Sequence, residues 1–485
     1  VLSPDFVIYD QKDQQALLKK IIKKMNLDES RFKARSIQYA LNEAKNSMIS
    51  PETYLDSVTS EWEESLGMIY NNYQKMLAKA QALDFADLLY YPVKLFDTNN
   101  EVRQKYQNKY QHILIDEYQD TNQSQYVLTK LLAKKHQNLT VVGDAAQAIY
   151  SWRGADYRNL MSLTKDFPKT EVINLERNYR STQNILDASY AIISRNEKHP
   201  VLKLFTEKDA GKKINVYQTM SGSREADYVV DKVQELVNQK NIDASKIAVL
   251  YRTNAQSRLL EEAFINKGVA YVLYGGTKFY ERKEVKDVLA LIRVYFNSQD
   301  MVSWERIEKN MGIRRTRKVK RFVKENKEKD LTTVELFGGI LKASTYLDKF
   351  DQEDPDDAQR LENIKELSSV AQRFRDIGDF LENVALVQQE YSVSEKNKKD
   401  ITKQAVNLMT LHSSKGLEFD VVFIVGMEEG LLPHSRSLDD AEQLEEERRL
   451  CYVGMTRAKK ELYLTYADHR LYFGRTNYNN PSRFL

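Results

Sequence analysis

Apolar residues recur at helical spacing through the first part of the chain. QQALLKKIIKKM (Gln14 to Met25) and WEESLGMIYNNYQKMLAKAQAL (Trp62 to Leu83) place them every three or four positions, so residues 1–87 read as helical. The pattern then changes. Short apolar runs follow at HILID (His112 to Asp116), LTVVGD (Leu139 to Asp144) and EVINL (Glu171 to Leu175), with helical patterns between them. Strands alternating with helices predict a parallel sheet with crossover helices. A second set follows: KINVY (Lys213 to Tyr217), KIAVLY (Lys246 to Tyr251), AVNLMTL (Ala405 to Leu411), VVFIVG (Val421 to Gly426) and ELYLTY (Glu461 to Tyr466). Between about Glu284 and Lys403 the pattern is helical and highly charged, and it interrupts the second sheet. The predicted class is α/β, with two parallel sheets that each carry a helical flank or insertion.

Composition narrows the function classes. The 485 residues carry 73 Lys and Arg against 70 Asp and Glu, a net charge of only +3. Any basic surface must therefore be local. The single cysteine, Cys451, excludes a disulfide framework and a zinc cluster. No apolar run is long enough to span a bilayer and no signal peptide is visible, so the expected location is the cytoplasm, with no membrane partner. The chain begins at Val1 inside a helical pattern; the expectation is a piece of a longer protein.

HILIDEYQDTNQSQY (His112 to Tyr126) ends an apolar run in two adjacent acids, Asp116 and Glu117. Ligands of open parallel sheets bind at the carboxyl ends of the strands. A first acid there can hold hydrated magnesium and a second can activate water. Taken alone, the pair reads first as a solvated strand end. VVGDAAQAIYSWRGAD (Val141 to Asp156) ends another strand and crowds Gln147, Tyr150, Trp152 and Arg153 into one loop. The rings offer faces for base stacking and the guanidinium a phosphate partner; packing into a core is the ordinary alternative. LERNYRST (Leu175 to Thr182) places Tyr179 and Arg180 after a strand, where a surface turn is the plain reading. LHSSKGLEFDVVFIVG (Leu411 to Gly426) sets His412, small residues, Lys415 and Gly416 between strands, a candidate nest for phosphates. EEERRLCYVGMTRAKKELYL (Glu445 to Leu464) carries Arg457 at the end of a charged helix.

These motifs, in this order, resemble the UvrD/PcrA/Rep family of superfamily 1 DNA helicases, and the resemblance covers nearly the whole chain. It extends to ALDFADLL (Ala82 to Leu89), VLYRTNAQSR (Val249 to Arg258) and YGGTKFYERKEVKDVLA (Tyr274 to Ala290). It implies two RecA-like P-loop NTPase-type motor domains with helical insertion subdomains, ATP in the cleft between the motors, and single-stranded DNA stepping 3′ to 5′. The implied divisions are 1–87 helical, 88–185 the first motor, 186–284 with 403–485 the second, and 285–402 a short helical insertion. The resemblance further implies ATP and Mg²⁺ as cofactors, and single-stranded DNA, duplex junctions and repair or replication proteins as partners. Carried onto this chain, Asp116 would hold magnesium and Glu117 would activate water. Gln147 would couple the γ-phosphate to DNA, and Tyr179 would stack on adenine. Arg180 and Arg457 would contact the γ-phosphate, and Glu418 would lie near the nucleotide sugar. Phe85, Tyr150, Trp152, Arg153, Arg252, Asn254 and His412 would contact DNA.

Three departures stand out. The family's GDxDQS reads GDAAQA at Gly143 to Ala148. The insertion carries MGIRRTRKVKRFVK (Met311 to Lys324), seven basic residues with no acid, which suits duplex phosphates or a solvated helix face equally. The third departure is severe: no G-x-x-x-x-G-K-[ST] loop is present among the 17 glycines, since Gly211-Lys212 is followed by Lys213 and preceded by Thr206 at the required glycine position. The expectation is the C-terminal part of a longer helicase, because a chain freed from turnover has no need for Glu117, Gln147, Arg180 and Arg457 together. Such a chain alone is expected to be poorly stable and without ATPase activity. A non-hydrolysing DNA-binding paralogue and the helicase part of an AddA/RecB-type helicase-nuclease are the alternatives.

Overall fold

The computed structural model describes residues 5–352, 354–396, 404–472 and 475–485. The chain divides into two units, residues 1–174 with 198–200 and residues 175–197 with 201–485. The end of the predicted insertion, positions 397–402, lies outside the described residues.

In unit 1 the helical spacing forms helices Gln11–Lys24, Ala34–Asn46 and Glu61–Lys79. Asp10 caps the first, accepting from the Lys12 and Asp13 amides, and Ser60 caps the third. Their apolar faces share one core of Leu18, Ile22, Ile37, Leu41, Ile69 and Tyr73. The all-helical reading of 1–87 needs a correction: β1 (Val7–Tyr9) and β2 (Ala82–Asp84) pair in parallel, with Val7 opposite Ala82. Three residues are too few to display an alternating period. The second pair, β3 (Ile113–Ile115) and β4 (Leu139–Val141), is also parallel, and helix Gln123–Ala133 crosses between them. The run Glu171 to Leu175, predicted as a strand, forms none, and Val172, Ile173 and Leu175 are exposed. Among the described residues no strand lies alongside it. Without a neighbouring row of N–H and C=O groups an apolar run builds no ladder.

Unit 2 holds one seven-stranded sheet: β5 (Asn215–Ser221), β6 (Ile247–Tyr251), β7 (Tyr271–Leu273), β8 (Val406–Thr410), β9 (Phe419–Ile424), β10 (Ala458–Tyr472) and β11 (Arg475–Tyr478). Its order is β11-β10-β9-β6-β8-β7, with β5 also on β10. Only β10 with β11 is antiparallel. The central strand β6 and the 421–424 part of β9 are continuous apolar runs because both faces are covered. Val229, Val233 and Phe264, from helices Gly222–Lys240 and Ser257–Asn266, pack onto the sheet.

Between β7 and β8 the described residues form helices and no strand, from Lys283–Phe296 to Ile377–Lys396. They enclose their own core, including Val288, Ile307, Val319, Leu336 and Phe380. The basic run forms helix Ile313–Asn326, which buries only Thr316, Val319 and Val323. Arg314, Arg317, Lys320, Arg321 and Lys324 face solvent. Among the described residues no helix is long and apolar enough to cross a membrane.

Candidate functional site

In unit 1 the parallel register sets Ile115 opposite Val141, so both strands release their chains at the same edge. The Val142 amide donates to Ile115 O (2.8 Å) and the Tyr118 amide to Val142 O (2.9 Å), which locks the two exits side by side. Asp116 and Glu117 leave β3 there, exposed, and Gly143 and Asp144 leave β4. Glu117 has φ +52°, in the left-handed region. A non-glycine residue held there costs about 1–3 kcal/mol and persists where its surroundings over-determine it, which is common at functional positions.

Gln119 does much of that determining. Its Nε2 donates to Glu117 Oε2 (2.6 Å) and its Oε1 accepts the Asp144 amide (3.0 Å). A Cβ at position 143 would stand 2.9 Å from Gln119 Oε1, so only glycine leaves this side chain room to bridge the strand ends. Gln147 Nε2 then donates to Asp144 Oδ2 (2.8 Å). Asp116, Glu117 and Gln147 are thus gathered on one edge through Gln119 and Asp144, which sequence reasoning did not single out. The donor set suits magnesium, a hard cation that takes one or two carboxylates and fills its shell with water and phosphate oxygens. Among the described residues no three acidic, His or Cys side chains converge on a metal cage, so an ion at Asp116 would rely on those other oxygens.

Downstream, Ser151–Arg153 makes a single 3₁₀ turn ended by Gly154 at φ +83°. The Arg153 guanidinium lies 4.5 Å from the Trp152 ring centre and 5.1 Å from that of Tyr150. Trp152 is 41% exposed. Burial in a core is therefore excluded for this ring: it is held as a platform by a cation stacked on it. Phe85 stands apart, 60% exposed, at the turn after β2.

In unit 2, Tyr179 is exposed, with the Arg177 guanidinium 4.9 Å from its ring centre. Arg180 donates from Nε to Glu418 Oε2 (2.8 Å) and from Nη1 to Thr456 O (3.3 Å). Lys459 Nζ holds the other Glu418 oxygen at 2.6 Å. Arg457 adjoins this group but is only 2% exposed. Its guanidinium donates to Val453 O (2.9 Å), Leu417 O (3.3 Å) and Thr456 Oγ1 (3.1 Å).

Arg252 and Asn254 follow β6, and His412 follows β8, where Tyr251 lies opposite Thr410. Arg252 grips Glu447 through Nε (3.0 Å to each oxygen) and Nη2 (2.6 Å). The loop His412–Ser414 closes as a 3₁₀ turn. The Ser413, Ser414, Lys415 and Leu417 amides bond back within it, so they do not form the open phosphate nest expected from the residue types.

Glu418 yields a pH prediction. Hydrogen bonds from Lys459, then Arg180, hold its carboxyl down at about 2 against an ordinary 4.5. A depressed folded value means the stabilising contribution is complete above about 4.5 and fades as pH falls toward 2. Because Glu418 is half exposed, the contribution is small. A side-chain carboxyl titration by NMR is expected to find Glu418 ionised at pH 3, and a midpoint near 4.5 would rule out its grip by Lys459 and Arg180.

Two family models match the chain. The UvrD/REP helicase N-terminal domain matches residues 1–168, and the UvrD-like helicase C-terminal domain matches residues 173–353 and 317–469. Among curated relatives, the ATP-dependent DNA helicase PcrA of Bacillus subtilis is 41% identical over 531 aligned positions, covering 100% of this chain and 72% of that protein. The PcrA of Staphylococcus epidermidis is 38% identical, covering 99% of this chain and 72% of its own length. That of Leuconostoc citreum is 37% identical, with 100% and 71% covered.

Proposed function

The chain belongs to the UvrD/REP helicase family, and from that membership we propose how its residues divide the work of an ATP-dependent DNA helicase in repair or replication. Asp116 would hold magnesium, the remaining ligands being water and phosphate oxygens. Glu117 takes the proton of the attacking water, and Gln147 reads the terminal phosphate. Tyr179 stacks on adenine. Arg180, and Arg457 once released from its carbonyl partners, meet the γ-phosphate, while Glu418 lies at the sugar. ATP bound with magnesium supplies the phosphoryl group and the charge that these side chains orient. The phosphate-cradling loop is not among these 485 residues, so the chain by itself does not turn over ATP. The observation that carries this reading is the strained Glu117 beside Asp116, fixed by Gln119 at the carboxyl edge of a parallel pair.

Single-stranded DNA is the polymer moved, in the 3′ to 5′ direction. Phe85, Tyr150, Trp152, Arg153, Arg252, Asn254 and His412 are its contacts, and Trp152 is the main stacking face. Stacking contributes about 1–3 kcal/mol per base. Trp152→Ala is therefore expected to weaken oligo-dT binding about 5- to 150-fold, read by fluorescence anisotropy on the 485-residue chain. Unchanged affinity would take Trp152 off the DNA path.

A further inference from the structure

Phe85 sits in a two-residue turn between β2 and helix Asp87–Thr98. The acids on either side of the turn cinch it reciprocally. The Asp87 amide donates to Asp84 Oδ1 (2.9 Å) and the Asp84 amide to Asp87 Oδ2 (3.1 Å). Their other oxygens converge on one buried cation: Lys45 Nζ lies 2.6 Å from Asp84 Oδ2 and 2.8 Å from Asp87 Oδ1, and all three side chains are fully buried. Tyr73 Oη donates to Asp84 Oδ2 (3.1 Å) and Gln74 Nε2 to Asp87 Oδ1 (3.0 Å). Lys45 also lies 5.1 Å from the Tyr73 ring centre. Lys45 comes from helix Ala34–Asn46, and Tyr73 and Gln74 come from helix Glu61–Lys79. Three elements thus meet beneath a turn whose only large side chain, Phe85, points to solvent.

Such a cluster is a poor way to gain stability. Burying a lysine and two carboxylates carries a desolvation cost that their attraction barely repays, and well-packed apolar residues commonly do as well. What the arrangement does provide is direction. Each of the four carboxylate oxygens has a named donor, so the turn has one geometry and the Cα–Cβ bond of Phe85 leaves it in one direction.

We propose that Lys45 is a positioning residue for DNA: through Asp84 and Asp87 it fixes the turn that presents Phe85 to a base of the single strand. This rests on the reading of Phe85 as a DNA contact. Lys45 touches no nucleotide, so its effect must pass through the Phe85 ring and must concern bases rather than phosphates.

The test uses the 485-residue chain, anisotropy with oligo-dT, and an abasic strand of equal length. Lys45→Met is expected to weaken oligo-dT binding about fivefold or more, the scale of one stacked base, and to leave abasic binding within about twofold. In a Phe85→Ala background it is expected to cause no further loss. Equal weakening on both strands, or full additivity with Phe85→Ala, would overturn the proposal and leave Lys45 a general support of the fold. If Phe85→Ala alone binds like the parent, the DNA role of Phe85 falls and the proposal falls with it. A normal loss in Phe85→Ala with none in Lys45→Met overturns the proposal alone. Should Lys45→Met fail to unfold cooperatively, Asp87→Asn replaces it, since it keeps a turn acceptor while removing one of the two ion pairs to Lys45.

Discussion

Glu117→Gln is expected to lower DNA-stimulated ATP turnover about 10²–10⁴-fold, the span of a lost general base, while sparing nucleotide and DNA binding. The measurement needs a protein that can hold phosphates, so the substitution is made in a chimera with a family G-x-x-x-x-G-K-[ST] segment fused ahead of Val1. Gln is chosen because it changes little else. Its amide oxygen can still accept from Gln119 Nε2, as Glu117 Oε2 does at 2.6 Å. The bonds around the left-handed position 117, from Gln119 Nε2 and from the Tyr118 amide to Val142 O, are kept. Only the negative, proton-accepting oxygen is lost. On the proposed assignment Asp116 would still hold magnesium, so affinity for a fluorescent ATP analogue is expected to stay within about threefold, far less than the loss of turnover. Turnover within tenfold of the parent would exclude Glu117 as the base. Lost nucleotide affinity would make it a binding group instead. Gln119→Ala gives a graded control, because it frees the carboxylate to swing without removing it, and its turnover should fall between parent and Glu117→Gln.

What could be read from the sequence is what depends on neighbours in the chain. Asp116 and Glu117 announce themselves because an apolar run stops at them. Tyr150, Trp152 and Arg153 do so because three informative residues share four positions. In unit 2, β6 and the 421–424 part of β9 were legible because burial on both faces makes them unbroken apolar runs, whereas the short β7 and β11 were not predicted. What depends on distant partners was not legible. Gln119 sits in the same stretch as Glu117, yet its bridging role depends on Gly143 arriving from another strand with no side chain. Glu171 to Leu175 has strand composition but no strand beside it among the described residues. The β1–β2 pair joins segments far apart in the chain, each too short to show a period. Lys45 looks like one more surface lysine on an amphipathic helix, and only the fold brings Asp84 and Asp87 over it. Arg252 and Glu447 are separated by 195 residues, and nothing local to either marks them as a pair.

That pair carries the second large effect. Glu447→Ala is expected to destabilise the chain by about 3–5 kcal/mol, the usual result of removing one partner from a buried ion pair. Glu447 is nearly inaccessible. Burial works to raise its carboxyl, but the Arg252 charge and hydrogen bonds outweigh it and leave the group below its ordinary value. The carboxylate also accepts the His434 amide at 3.0 Å. His434 in turn meets Glu362, on helix Pro355–Ala371, at 3.2 Å. Truncation at 447 therefore leaves the partly buried Arg252 guanidinium without its carboxylate, leaves the His434 amide without this acceptor, and loosens the seat of the loop that meets the inserted helices. Urea unfolding followed by far-ultraviolet circular dichroism measures the loss as a lower midpoint with an unchanged slope. The cause is separated from simple cavity formation by Arg252→Met with Glu447→Leu. Replacing both charges with apolar side chains of similar reach removes the desolvated cation along with its partner, so the double variant should recover to within about 1–2 kcal/mol of the parent. If the double variant is as unstable as Glu447→Ala, the ion pair is not what holds this region, and the contacts of Glu447 with the His434 loop must do so instead.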